Sequence, residues 1–117
     1  MDLEQLRCRV AEFAQDRDWD QFHSIRNLIL AMVGEVGEVA EVVQWVSDDK
    51  IDELLKSGGR ERLAQELADV LIYLVRVADR SGVDLAKAVS DKLNENDAKY
   101  PKDKARGNAR KYTELCD

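Results

Sequence analysis

The stretch GEVGEVAEVVQW, Gly34 to Trp45, sets glutamates at every third position, Glu35, Glu38 and Glu41, inside an otherwise apolar run. Residues three apart are neighbours on one face of a helix, where like charges repel by roughly a few tenths of a kcal/mol per pair. No lysine or arginine lies between Met32 and Asp49, so the segment has no compensating partner of its own. Working outward, Leu28, Ile29, Met32, Val33, Val36, Val39, Val42 and Val43 cover more than one narrow stripe. That pattern predicts a helix from about Ser24 to Val46, buried either by neighbours in a bundle or by another subunit. Gly34 and Gly37 each cost about 1 kcal/mol relative to alanine inside a helix. They leave room for close packing or for a slight kink beside the acids.

A second acidic pair lies downstream in QELADVLIYLV, at Glu66 and Asp69. With Glu66 at zero on a wheel of ~100° per residue, Leu63, Leu67, Val70, Leu71, Leu74, Val75 and Ala78 fill an arc from roughly 40° to 180°. Asp69 falls near ~300° and Tyr73 between the two acids near ~340°. These carboxylates flank an apolar face and are expected to meet the first pair across a helix–helix contact. Four converging negative charges call for a divalent cation. An oxygen-only donor set selects hard metals, Mg²⁺ first and Mn²⁺ second. A lone E-x-x-E is more often a solvated face; two pairs beside apolar stripes favour a metal site. A di-iron carboxylate bundle would need Glu-x-x-His pairs. The only histidine, His23, does not follow a glutamate by three residues, which excludes that reading.

The remaining segments also read as helices. Asp2 and Gln5 form a starting cap for a helix over Leu3, Leu6, Val10 and Phe13, ending near Asp16–Asp18. RDWDQFHS is a connector with two aromatics and the histidine. SDDKIDELLKSGG is a polar connector with a helical turn near Ile51–Leu55, closed by Gly58-Gly59. A third helix spans about Arg60–Arg80, ended by Ser81-Gly82, and a fourth runs from Leu85 to about Tyr100, capped by Asp84 and stopped by Pro101. KDKARGNARKYTELCD has little periodicity and reads as an extended arm. No segment alternates as a strand. The expected architecture is a single all-α domain over residues 1–117, a four-helix bundle with a C-terminal arm.

Composition agrees with a helical globular protein: 44% apolar and 36% charged residues, one proline and six glycines. The net charge of −6 argues against a general nucleic-acid-binding surface. Its distribution is uneven, since Lys99 to Lys111 hold six basic residues against one acid, Asp103, a local +5 that leaves −11 elsewhere. Cys8 and Cys116 form no C-x-x-C or Cys/His pattern, so neither a disulfide framework nor a zinc site is expected. There is no signal-peptide core and no membrane-length apolar run. A reduced cytoplasmic setting without membrane partners follows as the expectation.

These residues resemble a known family. Glu35-Val36-Gly37-Glu38, a spacer and Glu66-Leu67-Ala68-Asp69 are similar to the E-x-x-E…E-x-x-D signature of the MazG-like all-α nucleoside triphosphate pyrophosphohydrolases. AEFAQDRDWDQFHSIRNLILAMVGEVGEVAEVVQW, LADVLIYLV, VDLAKAV and ARKYTEL resemble, in order, segments of the dCTP pyrophosphatase branch, covering about Ala11 to Leu115. The resemblance implies hydrolysis of dCTP or modified cytosine deoxynucleotides to monophosphate and pyrophosphate, in nucleotide-pool sanitation. It implies magnesium at Glu35, Glu38, Glu66 and Asp69, with Glu35 or Glu38 orienting or deprotonating the attacking water. Glu41 either supports those ligands or only extends the acidic stripe. By the same resemblance Trp19, Phe22, His23 and Trp45 form a base pocket; without it, Trp45 reads as core. Tyr73 is placed to reach sugar or phosphate, and Lys92, Asn96 and Tyr100 form one polar stripe facing the nucleotide. The basic arm either closes over a site with Arg106, Arg110 or Lys111 on phosphates, or is a solvated tail. Relatives are tetramers or dimers, which implies a homotetramer built from dimers.

Two departures from the branch bear on base choice: the connector from Ser47 to Gly59, and Val10 at a position polar in that enzyme. The alternatives are a broader MazG-type or dUTP-preferring hydrolase, and a non-catalytic helical oligomerisation module.

Overall fold

Asp2 opens the chain with reciprocal bonds: Gln5 N–H donates to Asp2 Oδ1 at 2.8 Å, and Asp2 N–H donates to Gln5 Oε1 at 2.9 Å. Both satisfy donors that a helix start otherwise leaves free. Helix α1 then runs Leu3–Asp16. The computed structural model describes residues 1–115 and divides into two compact units, Met1–Val83 and the chain from Asp84 onward, each described by itself. Cys8 is exposed and in no disulfide; Cys116, with Asp117, lies outside the described residues. No strand occurs among the described residues, and none of their helices is long and apolar enough to cross a membrane.

In the first unit, a 3₁₀ turn at Asp20–Phe22 leads to Ser24, whose hydroxyl accepts from Asn27 N–H at 3.1 Å and caps α2, Ile25–Val43. The helix ends three residues before Val46, through a turn in which Val46 N–H donates to the Val43 carbonyl at 3.0 Å. A 3₁₀ turn, Asp48–Lys50, precedes the short α3, Ile51–Leu54. The chain then kinks at Ser57 and Gly58 into α4, Arg60–Ser81. Gly58 has φ 96°, a conformation that favours glycine, and a Cβ on buried Gly59 would lie 2.7 Å from Leu54 Cγ. Both glycines of the pair are therefore required by geometry. Gly82, left-handed at φ 72°, closes α4, and Val83 N–H donates to the Ala78 carbonyl at 2.9 Å.

The long α4 packs chiefly against α2 and also against α1. Ala14, Leu28, Val42, Val75 and Ala78 are buried there. That set is smaller than the apolar patterns suggest. Val33 is 61% exposed, and Ile29, Leu30, Val36, Leu67 and Leu71 also face outward. Among the described residues nothing comes within 4 Å of a Cβ placed on Gly34 or Gly37, so neither glycine serves close packing there.

The second unit begins where Asp84 Oδ1 accepts from Lys87 N–H at 3.0 Å and caps α5, Leu85–Lys99. Pro101 follows. The arm is not wholly extended: it contains a helical turn, α6, at Lys102–Ala105 and a 3₁₀ turn at Tyr112–Glu114.

Leu28, only 2% exposed, is the largest fully buried side chain. Leu28→Ala is expected to destabilise the fold by about 2–5 kcal/mol in urea denaturation, through lost transfer energy and the cavity left behind.

Candidate metal centre

Helices α2 and α4 each carry two acids at i and i+3, and their packing brings the four together. One carboxylate oxygen from each of Glu35, Glu38, Glu66 and Asp69 lies within 4.8 Å of the other three. Glu35 and Glu66 are half-buried, Glu38 and Asp69 more exposed. Glu35 Oε2 and Glu66 Oε2 are shut off from solvent, and neither has a hydrogen-bond partner. A buried carboxylate oxygen without a donor is a costly arrangement. A divalent cation among the four groups would satisfy both oxygens and offset the repulsion, so the donor set fits a hard metal. Glu41 is exposed and does not join the group.

The electrostatics carry the same signature. Burial first, then repulsion by Glu38 and Asp69 and a side-chain hydrogen bond with Glu38, push the Glu35 pKa above its ordinary 4.5. For Glu66 the side-chain hydrogen bond with Glu38 comes first, then burial and repulsion by Glu38, Asp69 and Glu35, and its pKa is also raised. Both groups therefore give up a proton less readily than a free glutamate, and a bound cation would favour their charged forms.

The other sequence-derived positions divide between the two units. Trp19 meets Phe13 edge-on with ring centroids 5.7 Å apart, and His23 at 6.2 Å. Phe22 is exposed, and Trp45 is 89% exposed, so among the described residues Trp45 is not core. Tyr73 is half-buried on α4, one turn beyond Asp69. Lys92, Asn96, Tyr100, Arg110 and Lys111 all belong to the second unit. There Lys92 pairs with Glu95 at 3.4 Å, Asn96 is half-buried, and Tyr100 stacks edge-on with Tyr112 at 6.3 Å. Arg110 and Lys111 are exposed.

The sequence reading missed Arg76. Its guanidinium is 4% exposed and binds His23 Nδ1 at 3.1 Å, Asp79 at 3.3 Å and, in a short contact, Asp20. Only Asp79 is within helical reach of Arg76 in sequence. The one available signal was a charged residue inside the apolar run LIYLVRVA.

Mg²⁺ is expected to raise the melting temperature, and Glu66→Gln to abolish that rise. In EDTA the order reverses, because Glu66→Gln removes a repelling charge. Glu35 and Glu66 have raised folded pKa values, so their contribution is complete below 4.5 and is lost as pH climbs through the raised values. The EDTA advantage of Glu66→Gln should therefore grow as pH rises above 4.5. Thermal melts across that range check both statements; a pH-independent difference would contradict the second.

Comparison with known proteins agrees with this geometry. The MazG-like family model matches residues 30–115, a span that includes all four acids. dCTP pyrophosphatase 1 of Homo sapiens is 54% identical over 115 residues, and that of Rattus norvegicus 52% over 114. Each alignment takes in 97% of this chain and 67% of the relative. The crystal structure of a pyrophosphatase from Archaeoglobus fulgidus superposes with a TM-score of 0.78 at 35% identity, covering 84% of this chain and 91% of that one. By sequence and by fold, this chain belongs to the MazG-like family.

Proposed function

We propose that this chain is a nucleoside triphosphate pyrophosphohydrolase that converts dCTP, or a modified cytosine deoxynucleotide, to the monophosphate and pyrophosphate. The observation that carries the reading is the convergence of Glu35, Glu38, Glu66 and Asp69 with two buried, donorless oxygens. The identity to dCTP pyrophosphatases supports the base and the bond cleaved.

The oxygen-only set would hold Mg²⁺, with Mn²⁺ as substitute. When bound, the cation supplies neutralisation of the triphosphate and polarisation of the attacking water. Either Glu35 or Glu38 takes the proton of a water whose oxygen bonds to the α-phosphorus while the bond to the bridging oxygen of pyrophosphate breaks. Trp19, Phe22 and Trp45 offer exposed aromatic faces for the base, where stacking contributes ~1–3 kcal/mol. Tyr73, one turn beyond Asp69, is assigned to sugar or phosphate; by resemblance Lys92, Asn96 and Tyr100 face the nucleotide, and Arg110 and Lys111 of the basic arm are assigned to phosphate.

Residues 1–117 are proposed to act as one domain; the family match extends across both units. The exposed faces of α2 and α4 support a homotetramer built from dimers, since covering each valine or leucine contributes ~1.5–3 kcal/mol. A cytoplasmic place in nucleotide-pool sanitation, without nucleic-acid or membrane partners, completes the proposal.

The test is turnover on a panel of triphosphates with and without Mg²⁺. dCTP is expected to be hydrolysed preferentially, only with the cation, and Glu38→Gln to lower kcat by about 10²–10⁴. Preference for dUTP, or equal use of several bases, would overturn the substrate assignment. Truncation after Pro101 is expected to raise KM several-fold; an unchanged KM removes the arm from substrate binding.

A further inference from the structure

Asp69, Tyr73, Arg76 and Arg80 follow one another along one ridge of α4, at successive intervals of four, three and four residues. The acidic end belongs to the metal centre. The basic end holds the connector between α1 and α2. Arg76 Nε–H donates to His23 Nδ1 at 3.1 Å, its Nη1 donates to Asp79 Oδ2 at 3.3 Å, and its Nη2 donates to Asp20 Oδ1. Arg80 Nε–H donates to the His23 carbonyl at 3.2 Å. From α1, Arg7 Nη1 donates to Asp79 Oδ1 at 3.0 Å. A guanidinium this deeply buried persists where its rigid fork of donors is used. The four acids do not need this one, two turns away.

We propose that Arg76 is a positioning residue of the nucleotide site, which holds His23 as a neutral ring protonated on Nε2 and so presents a donor-only group to an acceptor atom of the base. The inference rests on the nucleotide-hydrolysing function proposed above. Arginine has no acceptor, so the nitrogen facing it must carry a lone pair, and the ring proton resides on Nε2. Protonation of Nδ1 would break that bond and set an imidazolium against a guanidinium. Arg76 and Arg80 from α4 oppose a positive ring; Asp20, on the same connector, favours one. Asp79 acts through Arg76, and Arg7 through Asp79. Burial first, and Arg76 second, keep the His23 pKa below 6.5.

The chemical consequence is selectivity. Cytosine offers acceptors at O2 and N3, and an Nε2–H ring can bond them at neutral pH. A ring free to change tautomer would also accept from an amino group such as cytosine N4, and the contact would lose its fixed polarity. A donor left unpaired by a base that turns no acceptor toward it disfavours that base. Because Trp19 meets His23 edge-on, the fixed ring also orients an aromatic face beside it.

The chain has one histidine, so ¹⁵N NMR of histidine-labelled protein reads this ring alone. In the wild type, a bare Nδ1, a protonated Nε2 and a titration midpoint below 6.5 are expected. Arg76→Lys, which keeps the charge but not the fork, is expected to move the midpoint upward. It should raise KM for dCTP by about tenfold with kcat within about threefold, and make KM depend on pH between about 6 and 7.5. An Nδ1–H ring in the wild type overturns the proposal without any variant having to fold, and leaves the enzyme reading intact. So does an Arg76→Lys protein with unchanged titration and KM. A wild type that turns over no nucleotide overturns the enzyme reading, and the base contact with it.

Discussion

Four carboxylates whose oxygens lie within 4.8 Å of one another set the terms for the two helices that carry them. Like charges at that spacing push α2 and α4 apart, and water cannot screen the two shut-off oxygens. The apolar contact between the helices must therefore hold the site closed against its own repulsion. The buried Leu28 and Val42 bracket Glu35 and Glu38 on α2, and the buried Val75 and Ala78 follow Glu66 and Asp69 on α4. The binding capacity and the instability of this region have one origin. What makes the cluster unfavourable by itself is what makes a hard cation favourable there, and the upward shifts of the Glu35 and Glu66 pKa values have the same cause.

The ridge of α4 carries a second charge problem of opposite sign. Arg76 is almost fully buried, and its three partners restore what it loses in leaving water. Two of them, Asp20 and His23, belong to the connector after α1. The price of burying the charge is recovered as placement: the connector, with Trp19 against Phe13 and His23, is tied to the helix that also supplies Glu66 and Asp69. One rigid element thus bears both ends of the proposed nucleotide site.

What was legible in the sequence had short-range causes. The Asp2–Gln5 box, the start of α2 near Ser24, the Asp84 cap and the stop at Gly82 depend on groups a few residues apart, and the structure has all of them. The acid clusters were legible because i,i+3 spacing fixes a face and the flanking apolar arc says which way it turns. The end of α2 was placed three residues late, since the apolar run continues to Val46 while the backbone turns after Val43. Arg76 was illegible because its connector partners lie 53 and 56 residues away. Periodicity likewise cannot say whether an apolar stripe is covered by its own chain. Val33, Val36, Leu67 and Leu71 read as interior, yet they stand exposed here.

The single histidine joins these threads. A neutral imidazole is a common metal ligand, and one near four carboxylates would soften the site toward transition metals. Among the described residues His23 does not belong to the metal-binding group, and its Nδ1 is already occupied by an arginine donor. A nitrogen that accepts from Arg76 cannot also donate its lone pair to a cation. Arg76 thereby separates two chemistries that share one helix. The acids keep an all-oxygen donor set suited to a phosphate-bound hard ion, and the histidine keeps a proton to offer.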